Sequence, residues 1–382
     1  MITKIRVTRK GSILIFALWA LGLLAVLSLA LGNPVRQKIR LLSRIEKRDV
    51  LFDFARSGAR KAMAILQKDW DAHGRQLCAA SKMVRHNNPA ELAGLDLGEG
   101  ESAVFFYQFS VGAVDPSPVP PAGPLGPEQG GRTEQSQGVD TKPSYGMMDE
   151  ESKINLNKAS LTVIRRLLEQ VLGSSGQELD ELAVSIVDWR KKGSSELAGF
   201  YSDEYYANLR DPYPVKDSDY EILEELQLVR GASPEIFSRL SPYVTVYGDG
   251  KVNVNTATPP VLLALGLDPS VVDMILKVRR GNDGMEATAD DFIFCRTYDI
   301  VSDIKSQLKL KGKEAALLDQ LEGQEFLGTE SSFFFIQSEG RFKDATEVGR
   351  VHCIYDASSR RVVYWQEDLQ SASEVNYGML ER

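Results

Sequence analysis

The chain has 382 residues, 43% hydrophobic and 26% charged, with a formal net charge of −8. That supplies apolar material for two or three packed domains, and an acidic chain repels phosphate backbones unless a basic patch is set apart, which disfavours nucleic acid as a partner. Three cysteines (Cys78, Cys295, Cys353) and three scattered histidines (His73, His86, His352) exclude a disulfide framework, a Cys/His zinc cluster and a His-centred catalytic constellation, leaving at most one bridge of undetermined pairing.

Residues 1–10 carry Lys4, Arg6, Arg9 and Lys10 and no acid, and the stretch from Gly11 to Gly32 has no charge. A helix crosses ~30 Å of hydrocarbon with ~20 apolar residues, and the basic flank places the N-terminus inside and the remainder outside. Three readings fit. One is a cleaved secretory signal ending near "SLALG", although its apolar core would exceed the usual ~7–15 residues. A second is a plain single-span anchor. The third starts from Gly11 standing directly between the basic stretch and the apolar run, which resembles a type IV prepilin leader (residues 1–11); the resemblance implies a cut on the cytoplasmic side after Gly11, with the mature chain starting at Ser12 and keeping the whole apolar helix. Ala17, Ala20, Gly22 and Ala25 are small enough to let a neighbouring helix approach closely in lipid. Beyond Pro34, Ile39, Leu42, Ile45, Val50, Leu51, Phe54, Ala55, Ala62, Ile65 and Leu66 recur near helical spacing, which predicts one spine helix over 12–75.

Residues 76–157 read as the first part of an α/β head. "SAVFFYQFSVGAV" from Ser102 has strand composition, residues 115–144 form a Pro/Gly-rich exposed loop, and "YGMMDEESKINLN" is the returning strand of a hairpin. Residues 158–325 read as helical, in two subdomains. "SLTVIRRLLEQVLG" opens on Ser160 as N-cap and closes on Gly173. "DELAVSIVDWRKKG", "DSDYEILEELQLVRG" and "SPEIFSRLSPYV" follow, the last with Ser233-Pro234 as cap and first helical residue. "YVTVYGDGKVNVN" reads as a β-hairpin around Gly248-Asp249-Gly250. "TPPVLLALGL", "DPSVVDMILKVRRG" and "KGKEAALLDQLEG" resume the helices. Residues 326–382 return to strands, with a turn at 356–361. Strands before and after a helical block give an α+β class, the block being inserted between strands of one sheet.

One phrase occurs twice. "KINLNKASLTVIRRLLEQVLG" from Lys153 and "KVNVNTATPPVLLALGL" from Lys251 both run Lys, alternating β-type residues with two Asn, a small or hydroxyl residue, then an apolar helix. Asn there caps the helix or bonds its own backbone two residues on. "NVNTATPPVLLALGLDPSVVDMILKVR" also resembles the helix-hairpin-helix (SAM-like) unit of competence-type DNA-binding proteins, which grip phosphate on hairpin amides. The hairpin "LGLDPS" has one glycine, Gly266, and then Asp268, an acid that repels phosphate.

The basic leader ending at Gly11, with the apolar run following at once, resembles that of a type IV prepilin. Pilin-like proteins usually carry Glu at the fifth mature position; here it is Phe16, which removes both the cost of a carboxylate in lipid and its pairing. "SIVDWRKKG", "YYANLRDPYPVKDSDYEILEELQLVRG", "RLSPYVTVYG" and "FFFIQSEGR", in that order with the twin phrases, resemble the minor pseudopilin K family of type II secretion. The resemblance implies a pilin-like N-terminal transmembrane helix and small antiparallel sheet, with the large all-α domain inserted between strands. It implies a non-enzymatic tip subunit in the bacterial inner membrane, single pass, N-terminus cytoplasmic and head periplasmic. Its partners would be minor pseudopilins I and J, prepilin peptidase and inner-membrane lipid, with no nucleic acid expected. Calcium is implied as well, with Asp188, Glu196, Asp203 and Glu204 as candidate ligands, although Lys191 and Lys192 stand where the family has acids. The alternative is a membrane-anchored helix-hairpin-helix protein that binds DNA. A membrane-tethered enzyme is a third class, but no nucleophile and base stand at recognisable spacing.

Overall fold

The computed structural model describes residues 11–73, 89–107, 143–173, 175–190, 202–284, 290–321, 325–343 and 347–371. Helix α1 (Gly11–His73) has 63 residues and passes through Pro34 unbroken, a rod of about 95 Å at ~1.5 Å per residue. Its apolar face divides at Val50. Above that point Leu51, Phe54, Ala55, Ala59, Ala62 and Leu66 are buried, recurring every three or four residues along one stripe. Below it Ile39, Leu42, Ile45 and Val50 are exposed. The spine helix forms as expected, but its apolar periodicity from 39 to 66 is packed only in the upper part, because the sheet that covers α1 reaches down only to Leu51. Among the described residues no helix is long and apolar enough to cross a membrane; the described side chains of the charge-free stretch, 14–28, are fewer than the ~20 residues a span takes.

The sheet that receives α1 is antiparallel, in the order β1 (Leu95–Asp96), β2 (Gly100–Val104), β10 (Phe333–Phe342), β11 (Glu347–Asp356), β12 (Arg361–Ser371). The short β5 (Met148–Asp149) pairs with the start of β10, at Phe334 and Phe335, while β2 pairs with its other end, from Ser338 to Phe342. The turn at 356–361 is present: the Asp356 carboxylate accepts from the Ser358 and Ser359 amides, and Asp356 pairs with Arg361. Of the hairpin expected to start at Ser102, β3 (Phe106–Tyr107) and β4 (Pro143–Ser144) pair; residues 108–142, which take in the rest of that strand and most of the Pro/Gly-rich loop, lie outside the described ones.

Helix and sheet meet with little between them. Gly340 on β10 and Gly349 on β11 are cross-strand partners directly under α1. A Cβ on Gly340 would stand 2.6 Å from the Leu51 carbonyl oxygen, and one on Gly349 2.9 Å from the same atom. From the helix side Gly58 faces Ser102 and Ser338. Ala55, Ala59, Ala62, Leu66, Val104, Met147, Phe334, Ile336, Val351, Cys353 and Tyr355 form the resulting core. The Arg56 guanidinium forks onto both Glu367 carboxylate oxygens at 2.8 and 2.7 Å, tying α1 to the edge strand by a bidentate pair.

Between the early strands and β10 the chain is mostly helical: α3 (Leu161–Leu172), α4 (Gln177–Arg190), α5 (Ser202–Ala207), α6 (Pro234–Leu240), α7 (Pro259–Ala264), α8 (Pro269–Arg279), α9 (Ile300–Leu308) and α10 (Lys313–Leu317). These share a second core, including Leu167, Leu182, Trp189, Tyr206, Leu262, Ile275 and Phe294. Ser160 and Ser233 cap α3 and α6 as expected, accepting from Val163 and Ile236, and Gly173 ends α3 in the left-handed conformation. "EILEELQL" forms a 3-10 turn, Leu223–Leu228, rather than an α-helix; the Glu225 carboxylate folds back onto the Glu221 and Ile222 amides and Lys216, which tightens the turn. This block reaches the sheet face opposite α1, where Tyr364 donates to Glu224 at 2.9 Å and Tyr247 stacks on Phe333.

The glycine pair generates a prediction. Gly340→Ala should destabilise the fold by about 2–3 kcal/mol through overpacking against helix backbone, read as a lowered thermal midpoint. Gly94→Ala, where an added Cβ meets nothing within 4 Å, should leave the midpoint within error.

Candidate functional site

The repeated phrase folds the same way twice, but not as a hairpin. β6 (Ile154–Asn155) pairs in parallel with β7 (Val244–Thr245), and β8 (Val252–Asn253) pairs in parallel with β9 (Leu327–Gly328). Each phrase thus pairs with the strand that follows its own helices. Gly248 and Gly250 do adopt positive φ, 86° and 94°, as the turn demands, yet β7 and β8 leave it toward different partners. The expected hairpin is corrected accordingly: both strands are already committed to longer-range pairs.

Asn side chains set these closures. In the first unit the Asn155 carbonyl oxygen accepts from the Asn157 amide at 2.8 Å, and Asn157 exchanges two hydrogen bonds with the Tyr220 backbone, donating to its oxygen at 3.0 Å and accepting from its amide at 2.8 Å. In the second unit Asn253 accepts from the Asn255 amide at 3.0 Å, and Asn255 makes the same exchange with the Phe294 backbone, at 2.9 and 2.8 Å. An arginine at the end of the second helix completes each: Arg190 donates to the Leu156 and Ala159 oxygens, and Arg279 to the Ala257 oxygen at 2.6 Å. Of the two roles open to these Asn, turn formation on their own backbone holds, while the N-cap positions belong to Ser160, which accepts from the Val163 amide, and to Thr258, whose side chain makes no capping bond.

Three consecutive acids that sequence reasoning passed over join the units to the sheet. Asp149 is fully buried, which pushes its carboxyl up; it accepts from Ser331 at 2.5 Å, Thr256 at 2.6 Å, Asn253 at 2.9 Å and the Glu151 amide at 2.8 Å. Glu150 accepts from Lys153 at 2.5 Å and Thr245 at 2.6 Å. Glu151 accepts from the Ser332 amide, and burial, with Asp149 and Asp249 adding to it, raises its carboxyl to about 7. The available signal was three acids in a row directly before the first phrase, an odd run beside an apolar strand.

The α7–α8 hairpin is built against anion binding. Asp268 caps α8, accepting from the Ser270 amide at 2.8 Å, so a carboxylate already occupies the place a phosphate would take. Gly266, at φ 92°, is overlaid by the Arg166 guanidinium of α3.

The other expected site residues fall as follows. Gly11 begins α1, and the side chains of Gly11 and Ser12 lie outside the described ones. Phe16 is 75% exposed, and Ala17, Ala20, Gly22 and Ala25 belong to the same exposed run. Asp188 is buried on α4 and Glu204 exposed on α5, while Glu196 and the Asp203 side chain lie outside the described residues. Among the described residues the three acids whose oxygens lie within 4.8 Å of one another are instead Asp283, Asp290 and Asp291. Cys353 is buried in the sheet core, its thiol pushed up to about 12 by burial, whereas Cys295 lies in the helical region and Cys78 outside the described residues.

With this geometry in hand, residues 146–249 match the family model of type II secretion system protein K, first domain. The chain is 35% identical to the type II secretion system protein K of Aeromonas hydrophila over 115 residues, 28% of this chain and 34% of the relative. It is 28% identical to that of Pectobacterium carotovorum subsp. carotovorum over 126 residues, 32% and 38% of the two chains. The chain thus spans about a third of the length of the curated relatives it matches. A crystal structure of the GspK–GspI–GspJ complex from the enterotoxigenic Escherichia coli type 2 secretion system has the same fold, with a TM-score of 0.54 at 14% identity over 86% of this chain and 99% of that chain. The resemblance to protein K read from the sequence stands on the family model and the relatives, and the crystal structure adds the fold.

The Asn clamps are testable separately. Asn157→Ala and Asn255→Ala should each cost about 1–3 kcal/mol by leaving backbone groups unpaired. Amide exchange should accelerate first at Tyr220 in one variant and at Phe294 in the other.

Proposed function

We propose that this chain is a non-enzymatic minor pseudopilin of the type II secretion system, seated at the tip of the pseudopilus, where it assembles with minor pseudopilins I and J to initiate or cap the filament for export across the outer membrane. The observation that carries this reading is the joining of two parts: a 63-residue helix whose upper half is clasped by an antiparallel sheet, and a helical block whose first half, with the strand leading into it, matches protein K. The rod suits lateral packing with other rods. The block, residues 158–325 read as a domain inserted into the head, adds breadth that obstructs stacking of a further subunit above.

In this reading residues 12–32 are the single inner-membrane span, supported by the absence of charge from Gly11 to Gly32 and by the four basic residues before it. The head is then periplasmic, and prepilin peptidase cuts between Gly11 and Ser12. Phe16 replaces the usual carboxylate, so this subunit enters lipid without a buried charge and without a need for a neighbour's amine. That suits a subunit placed first. Ala17, Ala20, Gly22 and Ala25 give neighbouring helices a face for close approach.

The DNA-binding alternative is disfavoured by Asp268 at the hairpin. It also predicts a steep loss of duplex binding with salt; we expect no salt-sensitive binding.

Two measurements test the proposal. Intact mass of the membrane-extracted protein should show a chain beginning at Ser12; a start at Met1 returns the plain anchor, and one near Asn33 the secreted protein. The head should co-purify with minor pseudopilins I and J when the three are co-expressed, and failure to do so removes the tip role.

A further inference from the structure

The bare part of α1 has two unlike faces. Leu51 is the lowest residue the sheet covers. Counting down the helix from it, the positions 3, 4, 7, 11 and 15 residues away continue the same side. They hold Arg48, Lys47, Arg44, Arg40 and Arg36, all exposed. The opposite side carries Ile39, Leu42 and Ile45, which are 60%, 57% and 39% exposed. From Arg36 to Arg48 there are six cations, with Lys38 on a flank, and one acid, Glu46. Glu46 lies about 140° round the helix from Leu51 at ~100° per residue, away from the cationic column. Among the described residues the ion pair in this stretch is Arg48 with Asp49 at 3.6 Å. In a chain of net charge −8 this is a concentrated positive face.

We propose that this column seats the chain on anionic phospholipid headgroups of the leaflet beneath the head. The proposal rests on the reading of residues 12–32 as the membrane span. A rise of ~1.5 Å per residue puts Arg36 about 6 Å and Arg40 about 12 Å beyond Gly32, and the headgroup layer is roughly 5–7 Å deep on each side. Helical side chains lean toward the N-terminus, here toward the membrane, and long basic stems extend the reach. Arg36, Arg40 and, from the flank, Lys38 therefore reach phosphate. Arg44, Lys47 and Arg48 stand about 18 to 24 Å out and act only through a field that salt screens within ~8 Å. The fold favours lipid over a protein helix as the occupant. A rod laid upright along the cationic face runs into β10 and β11 at Leu51, where Gly340 and Gly349 lie against the α1 backbone. Headgroups fit below that obstruction, in the space of about 28 Å between Leu51 and Gly32. The apolar face points away from the sheet and is the side left for neighbouring rods.

The test is full-length protein extracted into detergent and titrated with equal phosphatidylglycerol and phosphatidylcholine, bound lipid being counted by native mass spectrometry. Wild type should retain phosphatidylglycerol in preference, and Arg36→Gln with Arg40→Gln should lower that preference roughly tenfold or more. Lys47→Gln with Arg48→Gln removes the same charge beyond reach of the headgroups and should change it less than about threefold. All four side chains are exposed, so both variants should keep the thermal midpoint of the head. No preference in wild type overturns the proposal. An equal loss in both double variants overturns it too, as a general effect of charge. So does competition by millimolar inorganic phosphate, which marks a site for free anions. If the Arg36 and Arg40 variant keeps its lipid preference and loses minor pseudopilins I and J, the column belongs to an acidic protein partner instead. Wild-type co-purification with I and J is scored in parallel. Partners retained without a lipid preference remove the lipid seat alone, and a lipid preference without partners removes the tip role alone.

Discussion

A helical unit made from one stretch of chain has to fold back on its own beginning, and here a half-buried side-chain amide fixes the return. Asn157 and Asn255 each exchange a donor and an acceptor with the backbone of a residue far along the chain, Tyr220 and Phe294. Backbone groups buried without partners are costly, so a side chain that satisfies one of each is specific to that residue type. Asp would keep the acceptor and lose the donor; Leu would lose both. The same side chains also reach the end of each unit beside the parallel pairs β6–β7 and β8–β9, Asn157 donating to the Val246 oxygen at 3.3 Å and Asn255 to the Thr329 oxygen at 3.4 Å.

The sheet depends on a different constraint, the distance at which α1 can approach. Gly340 and Gly349 lie opposite each other in the ladder under Leu51, and one turn and more along the helix Gly58 lets Ser102 and Ser338 approach. With Ala55, Ala59 and Ala62 filling the remaining positions, the rod lies nearly backbone to backbone on the sheet. Its lower half is left with no sheet to cover it. A helix that is firmly held at one end and bare at the other presents its exposed apolar residues to lipid or to other helices, and the proposed role uses both.

The two halves meet at Asp149, Glu150 and Glu151. A run of acids is an expensive way to build a junction, since each buried carboxylate must be desolvated, and here each one has its own partners: Ser331, Thr256 and Asn253 for the first, Lys153 and Thr245 for the second, backbone amides for the third. Directional bonds of this kind fix how the helical block sits on the sheet in a way that apolar packing alone does not.

Local chemistry in the sequence determined what depends on neighbours a few residues away. The charge-free run after the basic leader, the Ser160 and Ser233 caps, the Gly173 stop, the turn at 356–361 and the α+β class were all legible, because capping, turn formation and periodicity are short-range effects. The repeated phrase was legible as a repeat, and Asp268 as an obstacle to phosphate. Tertiary structure alone decided the partners of the short strands. A two-residue strand carries too little pattern to specify what it pairs with, so the Gly248 turn read as a hairpin when its strands belong to two parallel closures. The burial of Asp149 and Glu150 was equally hidden, since nothing in a run of acids shows that Ser331, Asn253 and Thr245 will fold over it. The division of the spine at Val50 depends on where a sheet formed mostly by the last strands of the chain happens to end, and helical periodicity continues past that point unchanged.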